Sequence, residues 1–199
     1  MTDAPIARAE WMSAWDALIA QVGTQIDSGV RWGPDPVEAG AVRRYLDPIE
    51  LDCELHTDRD AARAHGYPDI IAPYTAVWSL LFEPLRPGGA PLYGSDDRDA
   101  PALSGPGVGD DHFDAAPPTE RTVGASISME FARPLVVGER VGAGPRTVVA
   151  CVPKETRLGR GAFVTFERDV VVGTGEAVCT IRSEIFLYDP VVAAEGADE

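Results

Sequence analysis

The run Asp52-Cys53-Glu54-Leu55-His56-Thr57-Asp58 gathers an imidazole, a thiol and three carboxylates within seven residues. A histidine changes charge near neutrality, and a carboxylate within reach can share or tune its proton. General acid–base work on a water or a carbon acid needs such a pair. His56 beside Asp52 or Glu54 has the residue types for such work and reads equally as a loop histidine held by a hydrogen bond; the residues alone leave both open. Adjacent loop residues point different ways, so neither carboxylate faces the ring by default. Asp58 reads as a helix cap rather than a base. Cys53 stands three residues before His56 with no other histidine to activate it, so covalent catalysis is not expected. His65 is expected to cap its short helix, and His112 to lie exposed in an acidic loop.

Other chemistries find no support in the chain. Cys53, Cys151 and Cys179 are widely spaced without a CxxC pair, which predicts neither a disulfide framework nor a zinc site. No metal or cofactor is expected. Gly105-Pro106-Gly107 lacks the strand–loop–helix setting of a phosphate loop. The net charge of −15 disfavours nucleic acid and anionic membranes as partners, since both require clustered Lys and Arg. The start of the chain has no basic, apolar leader, and Ile70 to Phe82 is too short to cross a bilayer. A soluble, cytoplasmic protein is the expectation.

The elements that would position these groups follow from periodicity. Trp11, Trp15, Leu18, Ile19, Val22 and Ile26 recur at helical spacing and predict an amphipathic helix within residues 1–28, docked on a single domain over 29–190. Val30 to Trp32 reads as extended, and Asp35-Pro36 as the cap and first residue of a helix running to Asp47, where Pro48 stops it. Thr57 and Asp60 suggest a capping box for a short helix ending at His65-Gly66. Ala76 to Glu83 is apolar on nearly every side, which predicts a buried helix ended by Pro84. Residues 86–120 read as a long acidic Pro/Gly-rich loop, and 191–199 as a disordered tail. In the last third, Val123, Ala125, Ile127, Met129 and Phe131 alternate with polar or small neighbours, the signature of a half-buried strand. Alternation continues over about 140–152, 162–172 and 177–188, with hairpin turns at Gly159-Arg160-Gly161 and Gly173-Thr174-Gly175. Long antiparallel strands with one buried helix give an α+β class.

Two stretches resemble a known family. Ile49 to Asp58, followed by Ala61-Ala62, Gly66-Tyr67 and Ile71-Ala72-Pro73-Tyr74-Thr75, is similar to the hydratase motif of MaoC-like dehydratases and hydratases. That motif runs roughly G-D-x-N-P-x-H-x-D, then paired alanines, a glycine and I-A-P-x-T. Phe131-Ala132-Arg133-Pro134-Leu135-Val136-Val137-Gly138-Glu139 is similar to the family's F-x-R-P-L-x-x-G-D. The layout from Pro91 to Arg121 resembles the N-terminal, fatty-acid-synthase-type branch. The resemblance implies a hot-dog fold: an antiparallel sheet wrapped around a central buried helix near 74–84, with an extra N-terminal helix outside.

It also implies addition or removal of water on a 2-enoyl or 3-hydroxyacyl thioester of coenzyme A or acyl carrier protein. In the family an Asp and a His five positions apart act on one water. A backbone N–H at the start of the buried helix holds the thioester oxygen as enolate charge develops, near a helix end that favours anions. Carried across, the His falls on His56 and the amide donor on Tyr74 or Thr75, after Pro73. The Asp falls on Leu51, which cannot accept a proton, and the motif's Asn and Pro become Cys53 and Glu54. His56 thus has three readings: catalytic with Asp52 or Glu54, a relic of a degenerate site, or a structural loop residue. Arg133 closes a strand end or meets a phosphate of the thioester carrier. The implied partner is a second copy or a second MaoC-like subunit, since such folds pair across a continuous sheet. The expected function is a subunit of an enoyl-thioester hydratase or 3-hydroxyacyl-thioester dehydratase. The alternatives are a non-catalytic acyl-binding or stabilising partner and a repurposed hot-dog enzyme of specialised metabolism.

Overall fold

A computed structural model describes residues 9–82, 91, 93–100 and 113–191. His112, the Glu83-Pro84 helix end, much of the 86–120 stretch and residues 192–199 of the expected tail lie outside the described residues. Six strands build one antiparallel sheet: β1 (Arg31–Pro36), β2 (Arg121–Phe131), β3 (Arg140–Ala143), β4 (Thr147–Glu155), β5 (Gly159–Val172) and β6 (Ala177–Pro190). Their order is β1-β3-β5-β6-β2, with β4 also beside β5. The long β5 makes this possible, because β4 pairs with residues 160–167 and β3 with residues 170–172. Gly144-Pro145 separates β3 from β4, where a single strand over 140–152 was expected. Proline has no N–H for the ladder, so the chain breaks there and changes register.

Period-two patterning sets the inward face of β5. Ala162, Val164 and Phe166 join one apolar cluster, and Val170 and Val172 another. The second cluster receives the helix predicted as buried. Tyr74–Ala76 is a 3-10 turn that continues into α4 (Val77–Leu81), whose Val77 and Leu81 pack against Val141, Val178 and Ile181. The sheet closes tightly on this helix. A Cβ on Gly33 of β1 would lie 2.4 Å from the Leu80 carbonyl oxygen, so only glycine fits. Trp78 and Leu80 are half-buried and Phe82 is exposed, so α4 is covered on fewer sides than its composition predicts.

Among the described residues the other α-helices are α1 (Asp16–Ile19), α2 (Ala39–Leu46) and α3 (Arg59–Ala64). The expected Trp11–Ile26 helix is shorter: a 3-10 turn over Glu10–Trp15 leads into α1, and the chain then turns at Gly23 with φ +85°. Gly23 N–H donates to the Val148 carbonyl at 2.8 Å and Ile26 N–H to that of Arg146 at 3.0 Å. Pairing with the start of β4 thus outcompetes the helical period. Trp15 and Leu18 dock the segment on the first cluster. Asp35-Pro36 closes β1 instead of opening a helix; α2 starts at Ala39 with no side-chain cap, and Pro48 sits inside a 3-10 turn, Asp47–Ile49. The turn before β5 is at Thr156–Gly159, not 159–161, because Gly161 is within the strand.

Candidate functional site

Glu54–His56 forms a 3-10 turn that begins at Cys53 and leaves His56 at its end. Asp58 then caps α3, accepting from the N–H groups of Asp60 at 2.7 Å and Ala61 at 3.2 Å. The cap is therefore Asp58 and not Thr57. His65 ends α3 with Nδ1 2.9 Å from the Ala61 carbonyl, and Gly66 follows at φ +91°. Asp58 and His65 are thereby assigned to local structure.

His56 is held across the chain. Its Nδ1 lies 2.8 Å from the Ile71 carbonyl oxygen, and the Ile71 N–H donates to the Leu55 carbonyl at 3.1 Å. A carbonyl only accepts, so Nδ1 carries the hydrogen and Nε2 of the neutral ring keeps its lone pair. That is the form a general base requires. Ile71 stands three residues before Tyr74, so the ring is tied within about 11 Å of chain from the start of the central helix. Pro73 is buried and precedes the first 3-10 residue, Tyr74. First-turn N–H groups such as those of Tyr74 and Thr75 have no acceptor within their own helix. Tyr74 is half-exposed, with its ring centroid 4.6 Å from that of Phe131 on β2.

The carboxylates are arranged less favourably. Leu51 is 41% exposed and carries no polar atom on its side chain. Asp52 and Glu54 are exposed, and among the described residues no hydrogen bond or ion pair ties either side chain to His56. Cys53 is partly buried. Among the described residues no group of three His, Cys, Asp or Glu is gathered for a metal ion.

A second layer fixes the backbone that holds His56. Ala72 N–H donates to the Leu135 carbonyl at 2.7 Å and Val137 N–H to that of Ile70 at 2.9 Å. The Leu135–Val137 segment is in turn locked by Arg133, whose guanidinium bonds both oxygens of Glu139 at 2.8 and 3.1 Å and both of Glu176 at 2.8 and 2.9 Å. Glu139 also accepts from Val136 N–H at 2.8 Å. The bonds from Glu176 and then Glu139 raise the Arg133 pKa, and the bond from Arg133 holds Glu176 below the usual carboxylate range. Of the two readings of Arg133, strand closure is the one that the geometry supports. Glu176 and the Ile71 carbonyl were not found from sequence. A backbone oxygen has no residue signature, and Glu176 lies 43 positions from Arg133.

The family profile described as the FAS1-like dehydratase domain region matches residues 20–181. The chain belongs to that family. A UPF0336 protein of Saccharopolyspora erythraea is 30% identical over 85% of this chain and 94% of its own length. A probable enoyl-CoA hydratase alpha subunit of Thermomonospora curvata is 25% identical over 80% of this chain, which spans 47% of that relative. Among solved structures, a chain of the ChsH1-ChsH2 complex from Mycobacterium tuberculosis superposes with a TM-score of 0.64 at 21% identity, covering 92% of this chain and 96% of that one. The family is a MaoC-like hot-dog dehydratase family, and the antiparallel sheet around α4 is its fold. Among the described residues no helix is long and apolar enough to cross a membrane.

Proposed function

We propose that this chain is one hot-dog subunit of an enoyl-thioester hydratase or 3-hydroxyacyl-thioester dehydratase, with an incomplete acid–base pair of its own. The observation that carries the reading is the pairing of a retained histidine with a missing carboxylate. His56 is held by Ile71 as the Nδ1–H tautomer beside the start of α4, while the motif position of its partner is the apolar, exposed Leu51. The Tyr74 amide, or that of Thr75, is the donor for a thioester oxygen, where developing enolate charge meets the positive end of the helix. Asp52 and Glu54 are the carboxylates nearest in sequence to His56, and neither substitutes for the Asp without a backbone shift. A complete Asp–His pair then comes from a second MaoC-like subunit, and this chain shapes the acyl groove. The relative named as an alpha subunit supports a subunit role.

The sheet edge supports a partner as well. Among the described residues β2 pairs only with β6, and all its residues from Arg121 to Ser128 are exposed. Its apolar positions Val123 and Ile127 are 42% and 49% exposed, a pattern that a soluble edge strand normally avoids. A second subunit continuing the sheet would cover them. The same features favour the acyl-binding, non-catalytic variant of this reading.

The test is hydration of crotonyl-CoA and 2-decenoyl-CoA by the chain alone and mixed with a MaoC-like subunit that has an intact Asp–His motif. Turnover that needs the mixture and is unchanged by His56→Ala is the expected result. Full turnover by the chain alone, abolished by His56→Ala, would overturn the incomplete-site part. No turnover of either thioester in any combination would overturn the hydratase reading.

A further inference from the structure

The end of the sheet away from the histidine carries a cavity that the thioester reading does not use. It has a volume of about 490 Å³ and lies between the N-terminal 3-10 turn, the chain just before β2 and the ends of β4, β5 and β6. That volume is in the usual range for a small-molecule site. Its separation from the start of α4 follows from the sheet register. Tyr74 touches Phe131, Phe131 pairs with Cys179, and Cys179 pairs with Val170 of β5. Arg160, at the cavity, stands ten residues before Val170 on the same strand, roughly 30 Å along it. A ligand here is separate from a thioester oxygen held at Tyr74.

The walls and the rim differ in kind. Trp11, Trp15, Pro117 and Pro190 give apolar walls, with Trp15 3% exposed and Trp11 half-buried. The rim is one row of charge across three strands: Glu155 of β4 pairs with Arg160 of β5, and Arg160 with Asp189 of β6. Side chains directly opposite in an antiparallel ladder share a face. Here it is the face that carries Ala162, Val164, Ile185 and Leu187 further in. Arg160 Nε lies 3.2 Å from the Glu155 carboxylate, so the guanidinium is already engaged. Asp189 Oδ1 accepts from the Glu120 N–H at 3.1 Å, and among the described residues no ion pair reaches its carboxylate. The row thus holds two carboxylates to one guanidinium, in a chain whose net charge of −15 draws cations toward it. An indole face attracts a cation as well. Apolar walls, indole rings and a carboxylate at the mouth match an ammonium carried on an apolar body, and disfavour an anion of the same shape.

We propose that this cavity binds a small organic amine, with its apolar body against Trp11 and Trp15 and its ammonium on Asp189. Neither the site nor its test involves a thioester. The test is a titration of the full chain with 2-phenylethylamine, 2-phenylethanol and 3-phenylpropanoate, followed by NMR through the indole N–H signals of the four tryptophans. The three probes share a skeleton and differ in charge. The amine is expected to shift Trp11 and Trp15 and to leave Trp32 and Trp78 in place. It should bind at least about fivefold more tightly than the alcohol, with the anion weakest. Asp189→Asn should remove that preference and keep the affinity for the alcohol. This variant should fold, because the amide oxygen still accepts the Glu120 N–H. Raising the salt from about 0.02 M to about 0.5 M should shrink the same preference in the unaltered protein, a check that needs no variant. An amine that binds no better than the alcohol would overturn the proposal, as would a preference that survives Asp189→Asn or ignores salt. Shifts confined to Trp32 and Trp78, or no shift from any probe, would overturn it too.

Discussion

At the residue scale the decisive fact about His56 is its partner, a main-chain carbonyl rather than a carboxylate. The Ile71 oxygen selects the tautomer and leaves Nε2 as acceptor, so the ring is prepared for a water. His56→Gln should fold, because the amide can still donate to Ile71. With a carboxylate restored at position 51, it should lower hydration by the unpartnered chain at least about tenfold; an unchanged rate there assigns His56 to structure. The three thiols make an independent check on the same neighbourhood. Cys151 and Cys179 are buried, and burial, with the charge of Asp169 adding to it, pushes the Cys179 thiol up to about 11. Cys53 is the partly accessible one. Native protein should therefore titrate one thiol quickly with a disulfide reagent, and Cys53→Ser should remove that fast phase. Two fast thiols would mean that Cys151 of β4 or Cys179 of β6 is less buried than the structure has it.

At the element scale, the sequence was most readable where a strand keeps one face in the core. β5 and β6 follow their alternation closely, and the Asp58 and Gly66 ends of α3 follow from their side-chain chemistry. Reading failed where two structures share one signature. Pro36 fits a strand end as well as a helix start, since its fixed φ and missing N–H suit both. The Trp11–Ile26 period fits a helix, but pairing with β4 claims its second half. The glycines near 160 look like a turn yet serve a close approach. A Cβ on Gly161 would stand 2.0 Å from the Leu187 carbonyl oxygen and 2.7 Å from the Tyr188 Cα. Both are backbone atoms of the neighbouring strand and cannot step aside. Gly161→Ala should cost about 2–3 kcal/mol by overpacking, read as a lowered midpoint in thermal unfolding. A midpoint within 1 °C or so of wild type would show that β5 and β6 are further apart than described.

At the scale of the whole molecule, a partly buried ion pair helps to join the N-terminal segment to the sheet. Asp27 bonds the side chain and backbone of Arg146, which stacks on Phe113 at 5.0 Å. Burial alone would raise the Asp27 pKa, but the bonds from Arg146 outweigh it and the value falls below 3.8. A depressed folded value stabilises the fold above the unfolded one, and the contribution is lost as pH falls through the lower folded value. Asp27→Asn should thus cost about 1–2 kcal/mol near neutrality, discounted for the third of the carboxylate that faces solvent. The gap to wild type should close at pH values below about 3.8; a gap that persists there would mean that charge is not its source. The β2 edge was only half legible. Alternation in β2 predicted a half-buried strand, and its residues 121–128 are exposed, the face that the second subunit proposed above would cover. On the proposed function, Leu51 stands where a carboxylate would be needed for this chain to act alone. The most direct measurement is 2-decenoyl-CoA hydration by the unpartnered chain carrying Leu51→Asp, against wild type and against the Leu51→Asp, His56→Ala double variant. The account predicts a gain of at least about tenfold from the restored carboxylate, erased in the double variant. Equal rates in all three proteins would contradict it.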